Sequence, residues 1–321
     1  MRRNVVSLIL VMVCVCSGIG MVSVVVPGAK AAKLSVPPST SAIVDNIYSG
    51  RTDIALTQAK QFQEQYPESP LGYLLEAEAL WWKIWCVSAE FKYAMTMARH
   101  KEKQPVDQAY LELTTKAYKL AEQSFHKHDS GEMRLYAGMA DALAARLYGL
   151  RGEGRAGARA GVRARENFLK ALALDPTLAD AYMGLGLYNY YVDTLSGLAR
   201  VLRFFMGIPG GSKEEGIRQL EKAISEGQLS PPLARFYLAL DLFNYDQKYE
   251  EALGVIAPLA EKYPENPAFQ LMRGDLYARL KRKEQAEDSY RAAEAAAAKL
   301  TDAECRKKIK VLVEESLAAM R

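Results

Sequence analysis

Three stretches carry residue types that could do chemistry. "HKHD", His126 to Asp129, offers two imidazoles and a carboxylate within four positions. A zinc site needs three or four convergent ligands, and no neighbouring segment supplies the remainder. The pair fits a helix C-terminus better, where a partly positive ring meets the negative end of the backbone dipole. "GIPGGSKEEG" has the glycines of a phosphate loop but the wrong order, since Ser212 precedes Lys213, and no strand leads into it. Ser212 and Glu215 instead read as a capping box that opens a helix at Lys213. "GRAGARAGVRAR" places Arg155, Arg159 and Arg163 on every fourth residue. That spacing makes a basic ridge, read as a solvated helix face rather than an anion site. No serine sits on a nucleophile elbow, and the carboxylates are spread along helical faces. No catalytic set, cofactor or metal is expected, and the chain is not read as an enzyme.

The chain has 321 residues, half of them hydrophobic, enough for a substantial core. Its start is different material. Arg2 and Arg3 precede an uncharged run from Val5 to Val26, and Ala29-Lys30-Ala31 comes after it as a small-x-small site. This order predicts a secretory signal over residues 1–31. The run is also long enough to cross a bilayer, so an uncleaved anchor over residues 5–26 stays open. Cys14 and Cys16 each follow a valine, which argues against lipidation. The expected address is outside the cytoplasm, in a periplasm or cell envelope. Without the three cations Arg2, Arg3 and Lys30 the formal charge falls from +4 to +1. A body so nearly neutral gives no case for nucleic-acid binding. Cys86 and Cys305 stand near opposite ends of the remaining chain, and are expected as separate buried thiols.

The elements that must position everything else are written in a repeat. "EQYPESP" at Glu64–Pro70 returns as "EKYPENP" at Glu261–Pro267. With the prolines aligned, Ala55, Ala164 and Ala252 each stand twelve residues before Pro67, Pro176 and Pro264. Ala164, Phe168 and Ala171 set a spacing of four and three that Ala286, Tyr290 and Ala293 reproduce, and Ala252 to Ala286 is 34 residues. Gly186 and Gly274 each lie ten residues beyond a proline. Steps of three and four keep these residues on one helical face, and the proline ends one helix so that the next can leave at an angle. A single hairpin cannot bury its apolar face, so the units must stack.

These residues and spacings resemble the tetratricopeptide repeat (TPR) family, most closely over residues 164–186 and 252–293, less so over 55–82 and least around 117–140. The resemblance implies an all-α fold, a superhelix of antiparallel helix pairs with a concave groove. Small residues would stand where helices cross, and the role would be protein binding. The helical domain is expected over residues 41–321, after a short linker at 32–40 that holds Pro37 and Pro38. Thr301 and Glu304 would cap a closing helix with Ile309, Leu312, Val313, Leu317 and Met320 on its apolar face. The aromatic stretch Trp81–Arg99 would extend a helix past ordinary repeat length. About twenty extra residues interrupt one repeat at 193–212, where Leu198, Val201, Leu202, Phe205 and Met206 form an apolar stripe. That stripe could meet a membrane surface, a partner or the protein's own groove. Groove-lining residues are expected at Glu78, Trp81, Asp180, Met183, Leu187, Tyr190, Tyr237, Asp241, Asn244 and Asp275. Their mixture of aromatics and acids suits a peptide with apolar and basic positions. The leading reading is an exported interaction scaffold with a protein or peptide partner. The alternative is a small-molecule-binding or transporter-associated helical protein, with a cavity between the Trp81–Phe91 and Leu198–Met206 segments.

Overall fold

Helix starts and stops follow the local chemistry. The computed structural model describes residues 34, 36–88, 102–194 and 207–320. Among them are thirteen helices, here α1 to α13: Ser39–Tyr48, Thr52–Gln65, Pro70–Ser88, Pro105–Lys127, Gly131–Leu150, Gly154–Leu174, Ala181–Asp193, Lys213–Glu226, Pro231–Asn244, Tyr249–Lys262, Pro267–Arg279, Lys283–Ala298 and Ala303–Ala319. Pro70, Pro105, Pro231 and Pro267 each stand first in a helix, where the missing N–H costs nothing. The two repeated strings are corner pieces. In the second, the Tyr263 N–H closes α10 on Leu259, Asn266 caps α11 through the Ala268 N–H at 3.0 Å, and Pro267 begins it. Four of the hairpins turn within three or four residues, and Gly152 takes φ +76° between α5 and α6. Helix α1 begins at Ser39, slightly before the expected domain start.

Consecutive helices pair as antiparallel hairpins: α1 with α2, α3 with α4, and so on to α11 with α12, with α13 closing the row. The small residues stand at the crossings. Ala55, Ala171, Ala252, Ala286 and Ala293 have no exposed surface. Gly186 of α7 and Gly216 of α8 face one another. A Cβ on Gly186 would lie 2.9 Å from the Gly216 carbonyl oxygen, and one on Gly216 2.8 Å from that of Gly186. The repeat interrupted after Asp193 is therefore rejoined in space, with Leu220 and Ala223 buried beside Gly216 on α8. Ser212 caps α8 by accepting from the Glu215 N–H. Ile309 and Val313 of α13 are buried, with Leu312, Leu317 and Met320 packed beside them. The N-cap of α13 is Asp302, accepting from Cys305 N–H at 2.9 Å, rather than Thr301. The Thr301 hydroxyl is used elsewhere, on Asp53.

The cysteine expectation is overturned. Cys86 and Cys305 form a disulfide with their Cα atoms 5.3 Å apart. The row of hairpins turns back on itself, so distance along the repeat is not distance in space. The C-terminal end of α3 reaches the start of α13. Around this link the first hairpin meets the last ones. Tyr263 donates to Asp45 at 2.7 Å, Asn266 donates to the Tyr48 carbonyl at 2.8 Å, and Arg51 pairs with Glu265 at 2.7 Å. Trp82 of α3 packs edge-on against Phe269 of α11 and also against Phe236 of α9. The expected continuation of the aromatic helix through Arg99, including Phe91, lies outside the described residues. So do residues 1–31, with the signal or anchor, and Leu198, Val201, Leu202, Phe205 and Met206 of the insertion. Among the described residues no helix is long and apolar enough to cross a membrane.

Candidate functional site

The first helix of each hairpin supplies the groove positions, and the fold brings several of them together in the interior. Glu78 and Trp81 of α3 are buried, as is Tyr237 of α9. Arg146 of α5 reaches Glu78 with Nη2 to Oε2 at 2.6 Å and lies over the Trp81 ring at 4.2 Å. Trp82 donates to Glu78 at 3.1 Å. Tyr110 of α4 sits in the same cluster, with its hydroxyl donated to the Leu143 carbonyl at 2.9 Å. Burial alone would lower the Arg146 pKa, but the Glu78 carboxylate, with Tyr110 and Tyr237 adding to it, more than offsets that and holds the guanidinium charged. Burial pushes the Tyr237 phenol up to about 12, although Arg146 pulls it back in part. Trp85 stacks on Tyr237 with ring centroids 6.1 Å apart, and Trp81 contacts Tyr110. The described part of the Trp81–Phe91 stretch is thus packed by the protein's own rings, where the small-molecule reading wanted a cavity.

A second polar cluster joins α7, α8 and α9. Asp241 lies one turn beyond Tyr237 and is wholly buried. It accepts from Tyr191 at 2.9 Å through Oδ1, while Oδ2 has no hydrogen-bond partner among the described residues. Tyr190 donates to the Asp241 main-chain carbonyl at 3.2 Å. Burial drives the Asp241 carboxyl well above its ordinary value, and Tyr191 offsets this only in part. Lys213 pairs with Asp246, and its N–H donates to Asp193 at 3.0 Å, fixing both ends of the insertion to the loop after α9.

Asp180 does structural work. Its carboxylate accepts from the N–H groups of Leu229 and Ser230 at 2.8 Å each and from the Ser230 hydroxyl at 2.7 Å, tying the start of α7 to the start of α9. Of the ten expected groove residues, Glu78, Trp81, Asp180, Tyr190, Tyr237 and Asp241 are buried, and line no surface in this conformation. Met183, Leu187, Asn244 and Asp275 are half-buried. Asn244 donates back to the Leu240 carbonyl and Asp275 accepts from Tyr290. The spacing rule placed these residues on the inner faces of their helices, but inner faces that curl together become core. Arg146 is the central residue that sequence reasoning missed. A lone arginine inside the apolar run "MADALAARLYGL" was its signal, but the partner lies 68 residues upstream.

The motifs with apparent chemistry are accounted for locally. His126 is in the last turn of α4, and His128 is its C-cap. Among the described residues no group of three or more His, Cys, Asp or Glu is placed to hold a metal ion. Arg155, Arg159 and Arg163 are exposed, with Arg163 clamped to buried Asp141. Two further ionic groups are spent internally, Arg151 holding Asp107 through Nε at 2.7 Å.

Residues 237–300 match the tetratricopeptide repeat family. They span the last helical turns of α9 through the end of α12. No curated protein matches the chain. Among solved structures, the C-terminal part of a TPR repeat-containing protein from Cytophaga hutchinsonii is similar at 15% identity. That match covers 88% of this chain and 95% of the other, with a TM-score of 0.37. Yeast Tom70 is similar at 10% identity, covering 88% and 89%, with a TM-score of 0.27.

Proposed function

We propose that this chain of tetratricopeptide-repeat hairpins is an exported, non-catalytic scaffold that holds a protein or peptide partner in the cell envelope. The repeat fold itself suggests an interaction scaffold. The observation that carries the finer reading is how the ionic side chains are used. Glu78, Asp107 and Asp141 each hold an arginine of another helix, and Asp180 caps a third element. Groups that a reaction centre would need are committed to holding hairpins together, which leaves the surface as the working part. Export is supported by the charged, apolar and small-residue order of residues 1–31 and by the Cys86–Cys305 disulfide, since such bonds persist in oxidising compartments. Half-exposed Met183, Leu187, Asn244 and Asp275 are the parts of the inner face left for a partner. The Leu198–Met206 stripe, outside the described residues, is assigned a second role, contact with a membrane surface.

The deciding experiment is cross-linking and affinity capture of the native protein from its own cells, with N-terminal sequencing of the product. A mature end near Ala31, or an intact N-terminus in the membrane fraction, together with a reproducible cross-linked neighbour, is the expected result. A soluble cytoplasmic protein with both cysteines reduced would end the export reading. For the insertion, deletion of residues 198–206 from folded protein lacking the signal should abolish flotation with anionic liposomes. Unchanged flotation removes the membrane role.

A further inference from the structure

Where the first hairpin closes against the last ones, two contiguous clefts run along the seam. The larger, about 650 Å³, lies between α1 and its following turn, the corner after α10, and α12. The smaller, about 260 Å³, continues between the start of α1 and the helices α9 and α10. Asp45, Lys262 and Tyr263 line both, so the two clefts adjoin along the seam at these residues. Such volumes are of the order that binds side chains or small ligands.

The walls are apolar and low. Ala292, Ala295 and Ala296 let α12 recede on one side, and Pro231, Pro232 and Leu259 form the far end. The charges are unbalanced. Arg51, Lys262, Lys299 and Arg235 line the groove against only two carboxylates, Asp45 and Glu265. Glu265 is shared by Arg51 at 2.7 Å and Lys299 at 2.9 Å, and Asp45 is shared by Lys262 at 3.3 Å and the Tyr263 hydroxyl. Among the described residues Arg235 has no ion-pair partner. The rim pairs are substantially exposed, and exposed pairs hold their partners weakly. A carboxylate from outside can therefore enter between them. Two polar atoms of wall residues have no hydrogen-bond partner among the described residues: the Thr40 hydroxyl, on a residue 1% exposed, and the Gln228 amide oxygen. This excess of positive charge is local, because the body as a whole is close to neutral.

We infer that this seam groove binds an acidic peptide segment, its carboxylates on Arg235, Lys262 and Lys299 and its small apolar side chains over the alanines and prolines that line it. The inference rests on the reading of the chain as a protein-binding scaffold and names the chemistry of one partner. Exposed cations in water recognise carboxylates mainly through complementary charge, so the interaction is salt-dependent.

The test is selection of displayed random dodecapeptides on the mature, disulfide-linked protein, beside the Arg235→Glu, Lys299→Glu double variant. Circular dichroism and the melting midpoint establish that both are folded. Peptides rich in Asp or Glu together with Pro, Ala or Val are expected from the wild type. Their affinity should fall at least tenfold in the double variant and severalfold between 50 and 500 mM NaCl. If the reversal unfolds the seam, Arg235→Gln with Lys299→Gln and the salt titration carry the same decision. No acidic enrichment, or acidic peptides that bind both proteins equally, overturns the assignment. In the second case the scaffold reading stands while the groove is wrong. Phosphatidylglycerol vesicles that bind through these cations while no peptide does would also overturn it, in favour of a lipid surface.

Discussion

Cutting the Cys86–Cys305 link should cost this protein more stability than an average disulfide. The two residues are 219 apart in sequence, so the bond closes most of the helical body into one loop. In the chain-entropy account, a loop of that length removes on the order of 5 kcal/mol from the unfolded state, against about 2–4 kcal/mol for typical bonds. An unfolding entropy of about 2.1 cal/mol/K per residue translates a loss of 3–5 kcal/mol into a midpoint lowered by about 5–8 °C. The native fold should survive, because Trp82 remains packed on Phe236 and Phe269 and Arg51 remains paired with Glu265. The transition should also broaden. A stacked array frays from its ends, and the bond ties the third helix to the last. The assay is differential scanning calorimetry of the Cys86→Ser, Cys305→Ser variant beside the oxidised protein, with peptide mapping after alkylation to identify the linked pair. Linked and unlinked proteins melting at the same temperature would refute the loop argument. Unlinked, freely alkylated cysteines in protein recovered from outside the cytoplasm would refute the closure itself.

Three further outcomes rest on particular contacts. Gly186→Leu should cost about 1–3 kcal/mol, read as a lowered midpoint, because its Cβ alone would sit 2.8 Å from Leu220 Cγ. Glu78→Gln leaves the Arg146 charge buried without a counter-charge and should cost about 3–5 kcal/mol in urea unfolding. The paired change to two apolar residues of similar volume should recover part of that loss. Asp241→Asn tests pH linkage. The folded carboxyl keeps its proton well above the ordinary 3.8, whereas the unfolded one releases it near there. Its favourable contribution is therefore complete below about pH 4 and is lost as pH rises toward the folded value. Wild type and variant should match at acid pH, with the variant gaining relative stability as pH rises. A constant difference across pH would show that Asp241 is already ionised in the fold.

Much of this architecture is local and was written in the letters. Alanine and glycine at steps of three and four determine where helices touch, because contact distance between two helices depends on the side chains at the crossing. Proline and the residue before it determine where a helix ends, because the constraint is on a single bond and its neighbour. Hence Gly186, Ala252 and the two corner strings could be placed from the sequence, even across the interrupted repeat. What the sequence could not determine was how far the row of hairpins turns. Each step adds a small rotation, and the sum decided that Cys86 meets Cys305 and that the groove position Tyr237 became core, while the stacking of neighbouring hairpins decided that Glu78 meets Arg146. The seam groove exists for the same reason: Arg51, Arg235 and Lys299 belong to three separate hairpins, and only closure of the array puts them side by side.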